Sequence, residues 1–157
     1  MSSTNAPNKG ADNTYNSASS AIIVDNGTTG YSELSGTFGD SSLFGDSSLF
    51  GYNNSSTRYS FTPGAAVKWT PTLAAGTYKV SIYRIVYSTS DNNAQIRGNS
   101  VAGLSSPISV DYTTGTSGWY TLGNFTFIAG TSGYVTNSFS GNTGKNLRAD
   151  AVMFELQ

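Results

Sequence analysis

Apolar and polar positions alternate along this chain in short bursts, each closed by glycine, asparagine or proline. Ala21-Ile22-Ile23-Val24-Asp25-Asn26 is stopped at Asn26-Gly27, and Ala66-Val67-Lys68-Trp69-Thr70 ends at Pro71. Thr77 to Tyr87 is the longest run. Pro107 to Tyr112, Trp119 to Ile128, Gly133 to Phe139 and Ala149 to Leu156 follow it. No stretch of a dozen residues carries helical periodicity. Many short strands with closely spaced turn signals predict an all-β fold, an antiparallel β-sandwich of jelly-roll type.

The period of two also assigns faces. Tyr78, Val80 and Ile82 share the expected core face, while Lys79, Ser81, Tyr83, Ile85 and Tyr87 point the other way. Arg84 falls in the inward phase, where an unpaired charge is expensive. This predicts a bulge nearby, or a rim position with a carboxylate partner. In the run from Trp119, Tyr120 and Leu122 share one phase and Phe125 and Phe127 the other. A bulge at Gly123 would let both pairs face one core.

Residues 1–20 hold one aromatic and no apolar pattern, and are expected to form a flexible linker ahead of a single module over residues 21–157. Gly39-Asp40-Ser41-Ser42-Leu43-Phe44 is repeated at Gly45-Asp46-Ser47-Ser48-Leu49-Phe50. Two copies are too few for a solenoid, so this reads as a loop lengthened by duplication.

Composition narrows the function. Nearly half of the 157 residues are Ser, Thr, Asn or Gly, and the aliphatic core supply is completed by ten Tyr, eight Phe and two Trp. Nine acidic against eight basic residues leave no basic excess to neutralise a phosphate backbone, which argues against nucleic-acid binding. No apolar run approaches membrane-spanning length, and no membrane partner is expected. The absence of Cys and His removes thiolate metal sites, thiol nucleophiles and the commonest general base. Only Glu33 and Glu155 are available as glutamates, so a two-carboxylate glycosidase is poorly supported.

Several motifs carry a resemblance. Trp69-Thr70-Pro71-Thr72-Leu73-Ala74-Ala75-Gly76-Thr77-Tyr78-Lys79-Val80 resembles a segment of golvesin C-terminal-like domains, which also occur in xanthan lyases. Val110-Asp111, Gly118 to Phe127, Ala129 to Thr136, the closing Ala149 to Phe154 and the opening Ile22 to Asn26 are similar to the same family. The resemblance implies a β-sandwich appended to secreted, extracellular polysaccharide-degrading enzymes, in which it serves as a carbohydrate-binding module. A polysaccharide partner and a tethered catalytic domain come with it, xanthan is among the polymers it implies, and the module is expected to be a monomer. The shared motifs are scaffold, and no sugar-binding residue transfers from them.

Candidate residues therefore come from chemistry. Sugars offer C–H faces to aromatic rings and hydroxyls to amides, carboxylates and guanidinium groups. Tyr83 and Tyr87, with Asn92 and Arg97 in the following segment Ser88–Asn99 (read as a loop), form one candidate group. Tyr52 and Arg58 form a second, in which Arg58 could hold a uronate carboxylate. Trp69 and Trp119 sit within the shared strand motifs and are assigned to sandwich packing. Asp25, Asp111 and Asp150 lie at strand edges, where backbone hydrogen bonding accounts for them. No cofactor is expected; a structural Ca²⁺ has only weak support, because no loop of alternating Asp residues is present. The leading reading is a non-catalytic carbohydrate-binding module. Its rivals are a structural or adhesive spacer, and a small polysaccharide hydrolase or lyase.

Overall fold

The computed structural model describes residues 21–41 and 49–157. The expected linker over 1–20 and the centre of the duplicated loop, with Phe44, lie outside the described residues.

The described residues include thirteen strands and a 3₁₀ turn at Tyr52–Asn54. In chain order they are β1 (Ile22–Val24), β2 (Tyr31–Ser35), β3 (Gly39–Asp40), β4 (Arg58–Ser60), β5 (Ala66–Trp69), β6 (Gly76–Arg84) and β7 (Ala94–Ser100). Then come β8 (Gly103–Leu104), β9 (Ile108–Val110), β10 (Gly118–Phe127), β11 (Tyr134–Ser138), β12 (Leu147–Ala149) and β13 (Val152–Leu156). One sheet has the order β1-β13-β6-β10 and faces a second of order β2-β5-β11-β7-β8, with β9 also paired to β7. A small third sheet, β12-β4-β3, closes the end at which β6 finishes and β13 begins. The strand ladders are antiparallel, as expected for this β-sandwich.

The core lies between the two large sheets. Tyr78, Val80 and Ile82 from β6 meet Val67 and Trp69 from β5, Ile96 from β7 and Val135 from β11. Trp69 is 0% exposed and its indole Nε1 donates to the Asp150 carbonyl at 2.9 Å, so its assignment to packing holds. The β10–β6 register slips between Thr121 and Gly123. Leu122 is the inserted residue, and Gly123 adopts φ +143°, a conformation that side chains resist. The slip turns Leu122, Phe125 and Phe127 all onto the core.

Four expectations need correction. Ile85, expected on the outer face, is fully buried, and Tyr120, expected in the core, is 37% exposed. The second half of the segment read as a loop, Ser88–Asn99, is strand β7. Of its inward positions Ala94, Ile96 and Gly98, two are small, and at Gly98 a ring takes the space: a Cβ built there would sit 2.7 Å from the Phe125 ring. Arg84 finds no bulge and no direct carboxylate bond. Its Nη1 donates to the Asp111 carbonyl at 2.6 Å, and the guanidinium lies 5.0 Å from the centre of the Tyr120 ring.

Candidate functional site

Strand β6 ends at Arg84, and its last outward side chain is Tyr83. The register places Trp119 of β10 directly across from it. The two rings meet edge to face with centroids 5.2 Å apart. Tyr52, carried by the 3₁₀ turn, completes the group at 5.4 Å from Trp119 and 6.2 Å from Tyr83. Trp119 remains 36% exposed. Its assignment to sandwich packing is thus overturned. The phase opposite Tyr120 and Leu122 is the outer phase, and Trp119 stands on the outer face of the sheet.

The turn that presents Tyr52 is held by a buried carboxylate. Tyr52 N–H donates to Asp150 Oδ2 at 2.7 Å, and Gly51 packs against the same carboxylate so closely that a Cβ there would lie 1.9 Å from Oδ1. Asp150 is 1% exposed. Burial pushes its carboxyl up to about 8, against the lowering effect of the Tyr52 N–H. Asn53 and Asn54 follow at φ +56° and +57°, exposed beside the ring group. Their amides offer donors and acceptors next to an apolar surface.

A second feature lies around Arg148 of β12. A cleft of about 330 Å³ is lined by Leu49, Tyr59, Phe61, Tyr87, Thr89, Asn146 and Arg148. The Arg148 guanidinium is 5.6 Å from the Tyr59 ring centre and 5.7 Å from that of Tyr87. Its Nε donates to Ser90 Oγ at 3.3 Å. Burial lowers its pKa from the usual arginine value.

The sequence-derived candidates are therefore dispersed over the surface. Tyr52 and Tyr83, placed in different groups, come together, joined by Trp119. Tyr87 leaves the phase of Tyr83 once β6 ends, and turns to Arg148. Arg58 is ion-paired to Glu33, Nε to Oε1 at 2.7 Å. Asn92 accepts a hydrogen bond from Asn142 Nδ2 at 2.7 Å. Arg97 lies on the outer face of the other sheet, across from Thr136, so the core separates it from Tyr83. Trp119 and Arg148 were missed. Strand phase could have placed Trp119 outside; nothing local in the sequence distinguishes Arg148.

The three strand-edge aspartates bond to backbone as expected. Asp25 Oδ1 accepts from Asn26 N–H, and Asp111 Oδ1 from the Thr113 hydroxyl and N–H. Those Thr113 bonds hold the Asp111 carboxyl below its ordinary range. Among the described residues no three acidic side chains gather as metal ligands.

The sequence model of the Golvesin C-terminal domain matches residues 22–156. Among solved structures, a xanthan lyase from Paenibacillus is similar at a TM-score of 0.76 and 21% identity. That match covers 89% of this chain but only 13% of the lyase chain. The CBM36-1 domain of a multidomain xylanase from the hindgut metagenome of Trinervitermes trinervoides matches at TM-score 0.58 and 13% identity, over 88% of this chain and 98% of that one. The CBM35 from Cellvibrio japonicus Abf62 matches at TM-score 0.54 and 21% identity, over 86% and 92%. No curated protein sequence matches the chain. At these identities the structural likenesses speak for the fold. The sequence match, running from the first strand to the last, speaks for descent: this chain belongs to the Golvesin C-terminal domain family.

Proposed function

We propose that this chain is a non-catalytic carbohydrate-binding module, with Tyr52, Tyr83 and Trp119 as the surface on which sugar rings stack. The observation that carries this is the three-ring group at one end of the outer sheet face, with centroid separations of 5.2 to 6.2 Å and Trp119 open to solvent. Membership of the golvesin family and the fold shared with carbohydrate-binding modules support it.

The magnitudes fit a polymer better than a single sugar. A ring covering about 50–100 Å² of apolar sugar surface contributes about 1–2.5 kcal/mol. Three rings fall short of the roughly 8 kcal/mol of micromolar binding, so hydrogen bonds from groups such as Asn53 and Asn54 must add to them. In this reading the module acts as a monomer in a secreted, extracellular enzyme. It holds the tethered catalytic domain near its polymer and raises the effective concentration of substrate without chemistry of its own. Xanthan is the first polymer to test, because a xanthan lyase carries a similar fold.

Trp fluorescence tests this directly. Trp69 is buried and Trp119 exposed, so a polysaccharide bound on the rings perturbs the Trp119 emission. Titrations with xanthan, other uronate polymers and neutral glucans should give a saturable change with at least one. Silence across the panel would reject the proposal.

A spacer or adhesive role is the second reading, favoured by one observation. Val101 and Ile128, both 58% exposed, lie on adjoining chain segments tied by the Val101 N–H to Thr126 carbonyl bond. Concentration-dependent self-association in sedimentation, abolished by Ile128→Ser, would support it.

A further inference from the structure

Among the described residues, Arg148 is a buried cation with no carboxylate bonded to it. It is 5% exposed, and its Nη1 has no hydrogen-bond partner among the described residues. Arg58 is paired with Glu33 and Lys79 with Glu155; Arg84 lacks a carboxylate too, but two backbone carbonyls, of Asp111 and Thr116, accept from its guanidinium. A buried guanidinium held only by two tyrosine faces and one serine hydroxyl is costly unless an anion completes it. The buried Asn146 beside it leaves its Oδ1 acceptor unpaired as well. A donor with a positive charge and an amide acceptor thus stand unsatisfied in one cleft, between aromatic rings.

We propose that this cleft is a subsite for an acidic sugar, recognising the carboxylate of a uronate through Arg148. The proposal rests on the carbohydrate-binding reading of the chain and gives it a substrate class. The planar carboxylate matches the guanidinium edge. A ring hydroxyl donates to Asn146 Oδ1, and the C–H face of the sugar lies against Tyr59 or Tyr87. Phe61, 59% exposed at the cleft, adds apolar surface. A volume of about 330 Å³ lies at the lower end for small-ligand sites, roughly 300–1,000 Å³, and suits one sugar unit at a time. Arg148 is the sole cation lining the cleft among the described residues, which favours a monoanionic carboxylate over a multiply charged phosphate or sulfate ester.

The test is an NMR titration of the full isotope-labelled chain with methyl glucuronide and methyl galacturonide, and with the corresponding neutral methyl glycosides. Two reporters separate the questions. The Arg148 Nε–H and the Tyr59 and Tyr87 ring signals report this cleft, and the Trp119 indole N–H reports the ring surface of the proposed function. The cleft signals should move saturably with the uronides, with the neutral glycosides binding there at least about tenfold more weakly. Arg148→Lys, which keeps the charge but loses the fork, should abolish the difference between acid and neutral sugar. Because the acid and neutral sugars are compared on the unaltered chain, the result does not depend on that variant folding. Equal response of the cleft to both sugars, or a Trp119 response with a silent cleft, would overturn the uronate subsite and leave carbohydrate binding standing. Silence of the cleft toward every one of these sugars would overturn the subsite, while the carbohydrate-binding reading falls only if the polysaccharide titrations are silent too.

Discussion

Tyr52 and Trp119 bring their ring centroids to 5.4 Å although one sits on a 3₁₀ turn and the other on strand β10. The contact depends on Asp150, whose buried carboxylate accepts the Tyr52 N–H and fixes the turn over the end of the sheet. The site is therefore coupled to a scaffold residue with a perturbed pKa, and that coupling has measurable consequences.

The first is a pH dependence. Asp150 titrates near 8 in the folded chain against an ordinary value of 3.8. Between pH about 4 and about 8 the folded chain holds a proton that the unfolded chain has released. Stability from this group thus falls as pH rises through that window, by up to about 1.4 kcal/mol per pH unit, and levels off above it. Asp150→Asn, which keeps the acceptor for Tyr52 N–H, should flatten this slope in denaturation curves collected across the window. It should also stabilise the chain relative to wild type most at pH 8. A difference that does not change with pH would contradict the assignment.

Gly51→Ala tests the coupling sterically. The new methyl would meet Asp150 Oδ1 at 1.9 Å, too close for either group to stay in place. A loss of about 1–3 kcal/mol is expected in denaturant unfolding. Polysaccharide binding should weaken with it, because Tyr52 is the next residue. Unchanged binding by a destabilised variant would separate the turn from the site.

Trp69→Phe should destabilise through both volume and a lost donor. Its indole N–H reaches the Asp150 carbonyl at 2.9 Å inside the core. That carbonyl keeps its bond from the Asn26 N–H at 3.1 Å, so the lost indole bond costs about 0.5–1.5 kcal/mol beyond the lost volume, and thermal denaturation reads it. Sugar binding per folded molecule should stay as it was.

Arg58→Ala should change stability little, since its pair with Glu33 is partly exposed and such pairs contribute about 0.2–1 kcal/mol. A loss of several kcal/mol in urea unfolding would show that this pair anchors the small sheet.

The sandwich was legible because its inward residues on β6 and β13 are bulky and alternate. Gly123 announced the bulge that turns Leu122, Phe125 and Phe127 onto one core. Strand β7 was hidden by its own packing: Gly98 is small because the Phe125 ring fills the space and Ala94 is small as well, so with Ile96 the one large inward residue the alternation carries little hydrophobic signal. The site was half legible. Tyr52 and Tyr83 were chosen as exposed aromatics, but their meeting depends on a turn pinned by Asp150 and on cross-strand register with Trp119. Neither is a local property. Arg148 was hidden for the same reason, as its surroundings come from β4, the segment after β6 and the loop before β12.

In the proposed function the rings of Tyr52, Tyr83 and Trp119 carry polysaccharide binding. Affinity electrophoresis of wild type, Trp119→Ala and Arg97→Ala in gels containing the polymer that wild type binds tests it most directly. Trp119→Ala should lose retardation by at least about tenfold in affinity while keeping its thermal midpoint, and Arg97→Ala, on the opposite sheet, should migrate as wild type. Retention of full affinity by Trp119→Ala, or its loss in Arg97→Ala alone, would contradict the account.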